Sequence, residues 1–186
     1  LEKLTAADRF NPEAKDGISP RWLPGAKAAT YCAQGDEHDA EGNVDESGPN
    51  AIAQMDKRMA KMEALKKALP DPDVYGEQKN PEVLIVSWGS NASPIHDVLK
   101  GAEDHDLPLA SNKIAYVHYS YLWPLKTEKL QELAKKAKKT ILVESNYQGQ
   151  LGMLIAQECG LAFDHKILKY DGRPFFYNEI LEKISS

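Results

Sequence analysis

Val83-Leu84-Ile85-Val86, residues 113–119 and Thr140-Ile141-Leu142-Val143 are short apolar runs, each followed by a turn and a segment of helical period. This alternation constrains the chain more than any other feature. A strand without polar alternation is covered on both faces, and strands that alternate with helices build a mostly parallel sheet between two helical layers. Phe163 to Leu168 reads as a further strand, and the last helix carries Ile180, Leu181 and Ile184. The expected fold class is therefore α/β, a three-layer α/β/α sandwich over residues 80–186.

Helix boundaries follow from local chemistry. Ser93 is expected to cap a helix with Pro94 at its first position. Ser145 and Gln148 have the spacing of a capping box for the helix that buries Leu151, Leu154 and Ile155. A helix at about Thr127 to Lys138 places Leu130, Leu133, Ala134 and Ala137 on one face. Ahead of the α/β region, Ile52, Met55, Met59, Met62, Leu65 and Leu69 fall at steps of three and four. They predict a long helix from about Ala51 to Leu69 with a core-packing face, ended by Pro70 and Pro72. The expected organisation is an extension or interdomain segment over 1–48, a linking helix and loop over 49–79, and the α/β domain over 80–186.

The chain has 186 residues and a net charge of −5. Its densest basic stretch, Lys135 to Lys139, suits the solvated end of a helix, so nucleic acid is not an expected partner. No apolar run approaches the roughly 20 residues of a membrane helix, so no membrane partner is expected. The polar first residues do not read as a secretory signal. Cys32 and Cys159 form no CxxC pair, which points to a reducing cytoplasm while leaving a bridge between them open.

Residues 35–46 carry six carboxylates and His38. Counted from Glu37 as a calcium loop, Gly42 sits at the sixth place, but Gly48 stands where the closing Glu belongs. His38 lacks the partners zinc prefers. No metal site is expected, and the stretch reads as a charged turn before the long helix. Gly89, Ser90, Asn146, Gln148, Gly149 and Gln150 follow strand ends, the usual ligand edge of such sheets. They are candidates for anion binding, capping or an interface. No GxGxxG or GxxxxGK[ST] phosphate loop is present. Arg21 and Arg173, beside prolines, could clamp an anion or brace a loop. His118 reads as a core or interface residue, and His96, His105 and His165 have no partner motif. No catalytic residue is assigned.

Ile18-Ser19-Pro20-Arg21-Trp22-Leu23-Pro24-Gly25 and Gly35-Asp36-Glu37-His38-Asp39-Ala40-Glu41-Gly42 resemble the C-terminal portion of the alpha subunit of 2-oxoacid:ferredoxin oxidoreductases, most closely the 2-oxoglutarate type. So do Lys57-Arg58-Met59, Val86 to Ser90, Trp123-Pro124, Val143 to Leu151 and Lys169 to Phe175. The resemblance covers the chain from about residue 17 onward and implies a transketolase C-terminal-like domain. It also implies a role in a complex that oxidatively decarboxylates a 2-oxoacid to acyl-CoA and reduces ferredoxin. The partners implied are the beta subunit, with CoA and ferredoxin met through an oligomeric complex. The complete enzyme would use thiamine pyrophosphate, magnesium and iron–sulfur clusters. None is expected in this chain, whose two cysteines cannot supply the four thiolates of a cluster. The isolated chain is expected to be inactive. Gly35, Asp36, Glu37, His38 and Asp39 become candidate interdomain residues. The alternative is an independent small-anion-binding or structural interaction module of the doubly wound class.

Overall fold

A computed structural model describes residues 6–22, 25, 35–104 and 113–185. The chain divides into two compact units, Leu1–Leu69 and Pro70–Ser186. Cys32 and His105 lie outside the described residues.

The second unit holds a five-stranded sheet of order β1-β3-β2-β4-β5. Its strands are β1 (Asp73–Gly76), β2 (Val83–Trp88), β3 (Ile114–Tyr119), β4 (Lys139–Glu144) and β5 (His165–Leu168). Strands β2 to β5 pair in parallel, and β1 closes one edge antiparallel to β3. Helices α3 (Ala92–Asp104) and α6 (Tyr177–Ser185) cover one face. Helices α4 (Glu128–Ala134) and α5 (Gln150–Cys159) cover the other.

The apolar runs divide between the two faces by the two-residue period of a strand. Val83 and Ile85 pack with Ile95, Val98, Ile180 and Ile184, while Leu84 and Val86 pack with Leu130, Leu133, Leu151 and Ile155. Each such side chain contributes about 1.5–3 kcal/mol when fully buried, so the paired clusters fix strand register and both helical layers together. The three-layer mixed sheet thus agrees with the strand–helix alternation of the sequence.

Several local expectations are corrected. Four residues of the expected 70–79 loop form β1, a strand too short and too exposed to show an apolar period. Helix α3 starts at Ala92, ahead of Ser93, because a 3-10 turn over Gly89–Asn91 already winds the chain. Helix α4 stops at Ala134; beyond it, Lys136 pairs with Glu132 and Lys138 with Glu82.

In the first unit the described elements are α1 (Ala6–Phe10), a 3-10 turn at Lys15–Gly17 and α2 (Gly48–Ala68). The first half of the expected core face of α2 is exposed: Ile52 is 65%, Met55 52% and Met59 51% accessible, while Met62 and Leu69 are half-buried and the buried residue of the helix is Gln54. Helical period shows that these residues share a side; it does not show that anything covers it. Gln54 instead donates to the Phe10 carbonyl at 3.4 Å.

On the α3 face, the Ser87 hydroxyl lies 2.7 Å from the Tyr116 hydroxyl, which lies 2.8 Å from His118 Nδ1. Burial lowers the His118 pKa below its ordinary value; Asp73 opposes that shift and His96 adds to it. As pH falls, the unfolded chain takes up this proton before the folded chain does. The stability contribution is therefore full above about pH 6.5 and is lost as pH drops through the folded value. We expect the urea midpoint to fall between pH 7.5 and 5, and to fall less steeply in His118→Gln; equal slopes would show that His118 is not the titrating group.

Candidate functional site

From β2 the chain runs outward to β3, then crosses back past β2 to β4 and continues to β5. The loops leaving β2 and β4 depart toward opposite helical layers, so their C-terminal ends flank the topological switch point, where doubly wound folds place ligands. Gly89 and Ser90 stand on one side of it, and Asn146, Gln148, Gly149 and Gln150 on the other.

Glu144 holds this edge together. It closes the apolar run of β4 and has no exposed surface. Its Oε2 accepts from Trp88 Nε1 at 3.1 Å, Asn146 Nδ2 at 2.6 Å and the Leu151 amide at 3.2 Å. Its Oε1 accepts from the Gly152 amide at 3.1 Å. Asn146 Oδ1 takes the amides of Gly149 and Gln150 at 2.7 and 3.3 Å. The first amides of α5, which a helix must satisfy from outside itself, thus bond to two side chains four and six residues upstream of Gln150. Gly149 takes a left-handed φ of 68° as the chain enters α5, with space that Leu142 and Leu168 bound closely.

This corrects the capping-box expectation. Ser145 does not cap α5; its hydroxyl donates to Asn91 Oδ1 at 2.8 Å and ties the loop after β4 to the turn after β2. Asn91 is 5% exposed, so this bond is part of the brace. The amides that an anion at α5 would need are occupied, while Ser90, Gln148 and Gln150 remain exposed. The edge is built to be stiff underneath and to present polar side chains outward. Asn91, Trp88 and Glu144 were not among the sequence candidates. The available signal was a carboxylate closing an apolar strand just before a helix.

More apolar surface lies along the same edge. Tyr121 and Trp123 follow β3, Tyr147 follows β4, and Tyr170 and Phe176 follow β5; all are more than half exposed. Tyr147 and Tyr170 meet edge to face at 4.9 Å. Arg173 is exposed there and uses its backbone amide, not its guanidinium, to bond Asp171.

The acidic stretch lies in the first unit. Glu37 receives Arg58 Nη2 on both oxygens at 2.8 Å, and this bond holds its carboxyl below the ordinary range. Asp39 Oδ1 accepts the amides of Glu41 and Asn43 at 3.0 and 2.9 Å. Asn50 Nδ2 bonds the carbonyls of His38 and Asp45 at 3.0 and 2.8 Å, and the His38 ring lies 4.1 Å from that of Phe10. The stretch is a braced turn on α2, with Gly35 and Asp36 exposed. Among the described residues, no three His, Cys, Asp or Glu side chains gather as a metal site.

No protein-family model matches the chain. It is 31% identical over 172 residues to 2-oxoacid:ferredoxin oxidoreductase 1, subunit alpha, of Aeropyrum pernix, a match covering 90% of this chain and 26% of that subunit. The chain is homologous to part of the 2-oxoacid:ferredoxin oxidoreductase alpha subunit. The same-named subunit of Sulfurisphaera tokodaii is 33% identical over 173 residues, 91% of this chain and 26% of that protein. Among solved structures, the 2-oxoglutarate:ferredoxin oxidoreductase of Magnetococcus marinus, with 2-oxoglutarate, coenzyme A and succinyl-CoA bound, superposes with a TM-score of 0.76 at 26% identity. That match covers 91% of this chain and 29% of the other. The chain therefore spans about a quarter of the length of the relatives it matches. Among the described residues, no helix is long and apolar enough to cross a membrane.

The Glu144 brace makes a direct prediction. In Glu144→Leu at least two buried N–H donors lose their acceptor, at about 1–3 kcal/mol each. Urea unfolding should show a loss of about 2–6 kcal/mol, whereas Gln148→Ala should change stability by less than about 0.5 kcal/mol. A loss below about 1 kcal/mol in Glu144→Leu would mean that the brace does not hold the edge.

Proposed function

We propose that this chain acts as the C-terminal portion of the alpha subunit of a 2-oxoacid:ferredoxin oxidoreductase. In that setting it serves a complex that oxidatively decarboxylates a 2-oxoacid, with 2-oxoglutarate the favoured substrate, to acyl-CoA while reducing ferredoxin. The observation that carries this reading is the match to alpha subunits along 90% of the chain. The chain's own contribution is assembly and the shaping of an entrance, and the isolated chain is inactive. Exposed aromatic side chains on the strand-end edge of the second unit, and the bare Ile52, Met55 and Met59 on α2 of the first, suit protein interfaces, which are enriched in such residues. Gly35, Asp36, Gln148 and Gln150, exposed on their own units, are the polar groups we assign to such contacts.

Thiamine pyrophosphate, magnesium and iron–sulfur clusters belong, on this reading, to the remainder of the enzyme. The sequence holds two cysteines, short of the four thiolates of a cluster, and Cys159 Sγ donates to the Ile155 carbonyl at 3.3 Å within its own helix. The work is cytoplasmic and the partner is a beta subunit. To test this, a tagged chain would be co-expressed with the rest of the alpha subunit and the beta subunit of the same organism. We expect co-purification and CoA-dependent dye reduction with 2-oxoglutarate, and no turnover from the chain alone. Failure to associate, or acyl-CoA formation by the chain alone, would overturn the reading.

A further inference from the structure

A cavity of about 600 Å3 lies within the first unit, between the segment Gly17–Arg21 and one side of α2. Four cationic residues line it: Arg9, Arg21, Lys57 and Lys61. No carboxylate is found among the described residues that line it. Lys57 and Lys61 are one helical turn apart, where like charges destabilise a helix. The mutual repulsion reaches further. The Lys57 pKa is lowered first by burial and then by Lys61, Arg9 and Arg58.

The local fold creates this convergence. Gly17 has a φ of 68°, and a Cβ there would collide with the Lys57 carbonyl and the Lys61 amide nitrogen. Only glycine lets the turn press onto α2 and hold the following residues over the lysines. Ser19 Oγ is buried without a hydrogen-bond partner among the described residues, and Ser19 lines the same cavity. Ile18, Pro20, Ala64 and Leu65 supply an apolar wall beside the cations. The volume falls in the range of sites for small organic ligands. Cations gathered against their own repulsion, an orphaned hydroxyl and an apolar wall together suit an anion that carries an organic body.

We propose that this cavity binds the phosphates of a nucleotide-class ligand, with Arg21, Lys57 and Lys61 as the phosphate-facing cations. Arginine matches the planar spread of phosphate oxygens, and lysine meets them as a point charge. If the alpha-subunit reading is right, the nucleotide is CoA; the phosphate site itself does not depend on that reading.

The test is calorimetric titration of the full 186-residue chain with sodium pyrophosphate, CoA, pantetheine and 2-oxoglutarate. Pyrophosphate and CoA should bind, more weakly at 200 mM than at 50 mM salt, since screening acts on exposed charge. Pantetheine, which lacks phosphate, should not. Arg21→Gln and the pair Lys57→Gln/Lys61→Gln should each weaken pyrophosphate binding at least tenfold. Lys67→Gln, on α2 but outside the cavity, should leave it unchanged, and circular dichroism would confirm that each variant is folded. No binding of pyrophosphate or CoA, or native affinity in the cavity variants, overturns the proposal. Binding of 2-oxoglutarate in preference to pyrophosphate overturns the phosphate class. Pyrophosphate binding in a chain that fails to join the beta subunit would uphold the site while removing the alpha-subunit reading.

Discussion

Glu144 is a carboxylate with no exposed surface at the end of a central strand, and its two oxygens collect four N–H donors. A polar group buried this deeply is tolerated only when its hydrogen-bonding capacity is met. Meeting it brings together the end of β2, the loop after β4 and the first turn of α5. Removing the acceptor would leave amides at the α5 N-terminus without partners. The geometry of the switch-point edge therefore rests on this one side chain, with the Ser145–Asn91 bond as a second tie across the same gap.

The edge so formed is stiff below and sticky above. Its amides are satisfied internally, and its outer surface offers aromatic rings and side-chain amides. Rigid rings lose little entropy when they dock, and on the proposed reading this surface meets a protein partner. The first unit shows the opposite design. Its acidic turn is neutralised locally by Arg58 and backbone amides, while its cations are left together around a cavity. Charge in this molecule is sorted by position: the conspicuous acidic run is structural, and the dispersed basic residues converge.

That contrast explains how far the sequence could be read. Strand runs 83–86 and 140–143, the helical period of α2 and the alpha-subunit resemblance were legible, and each has its counterpart in the fold or in the relatives. Gly149 and Asn146 were legible as strand-end residues. Their roles were not, because Ser145 and Gln148 carry the spacing of a cap that the chain does not use. Ile52, Met55 and Met59 show the same limit: period assigns a face, and only neighbours decide whether that face is covered.

The sequence by itself determined the elements, their alternation and hence the layered sheet, since apolar period and turn chemistry act over a few residues. Tertiary structure alone decided which groups meet. Trp88 reaches Glu144 across 56 positions, and Arg9 reaches the surroundings of Lys57 from another helix. Such contacts leave no periodic trace, because they are set by how strands order in the sheet and how a glycine turn lands on a helix. The acidic run that stands out in the one-dimensional chain became a brace, and the cationic cavity exists only once the chain has folded.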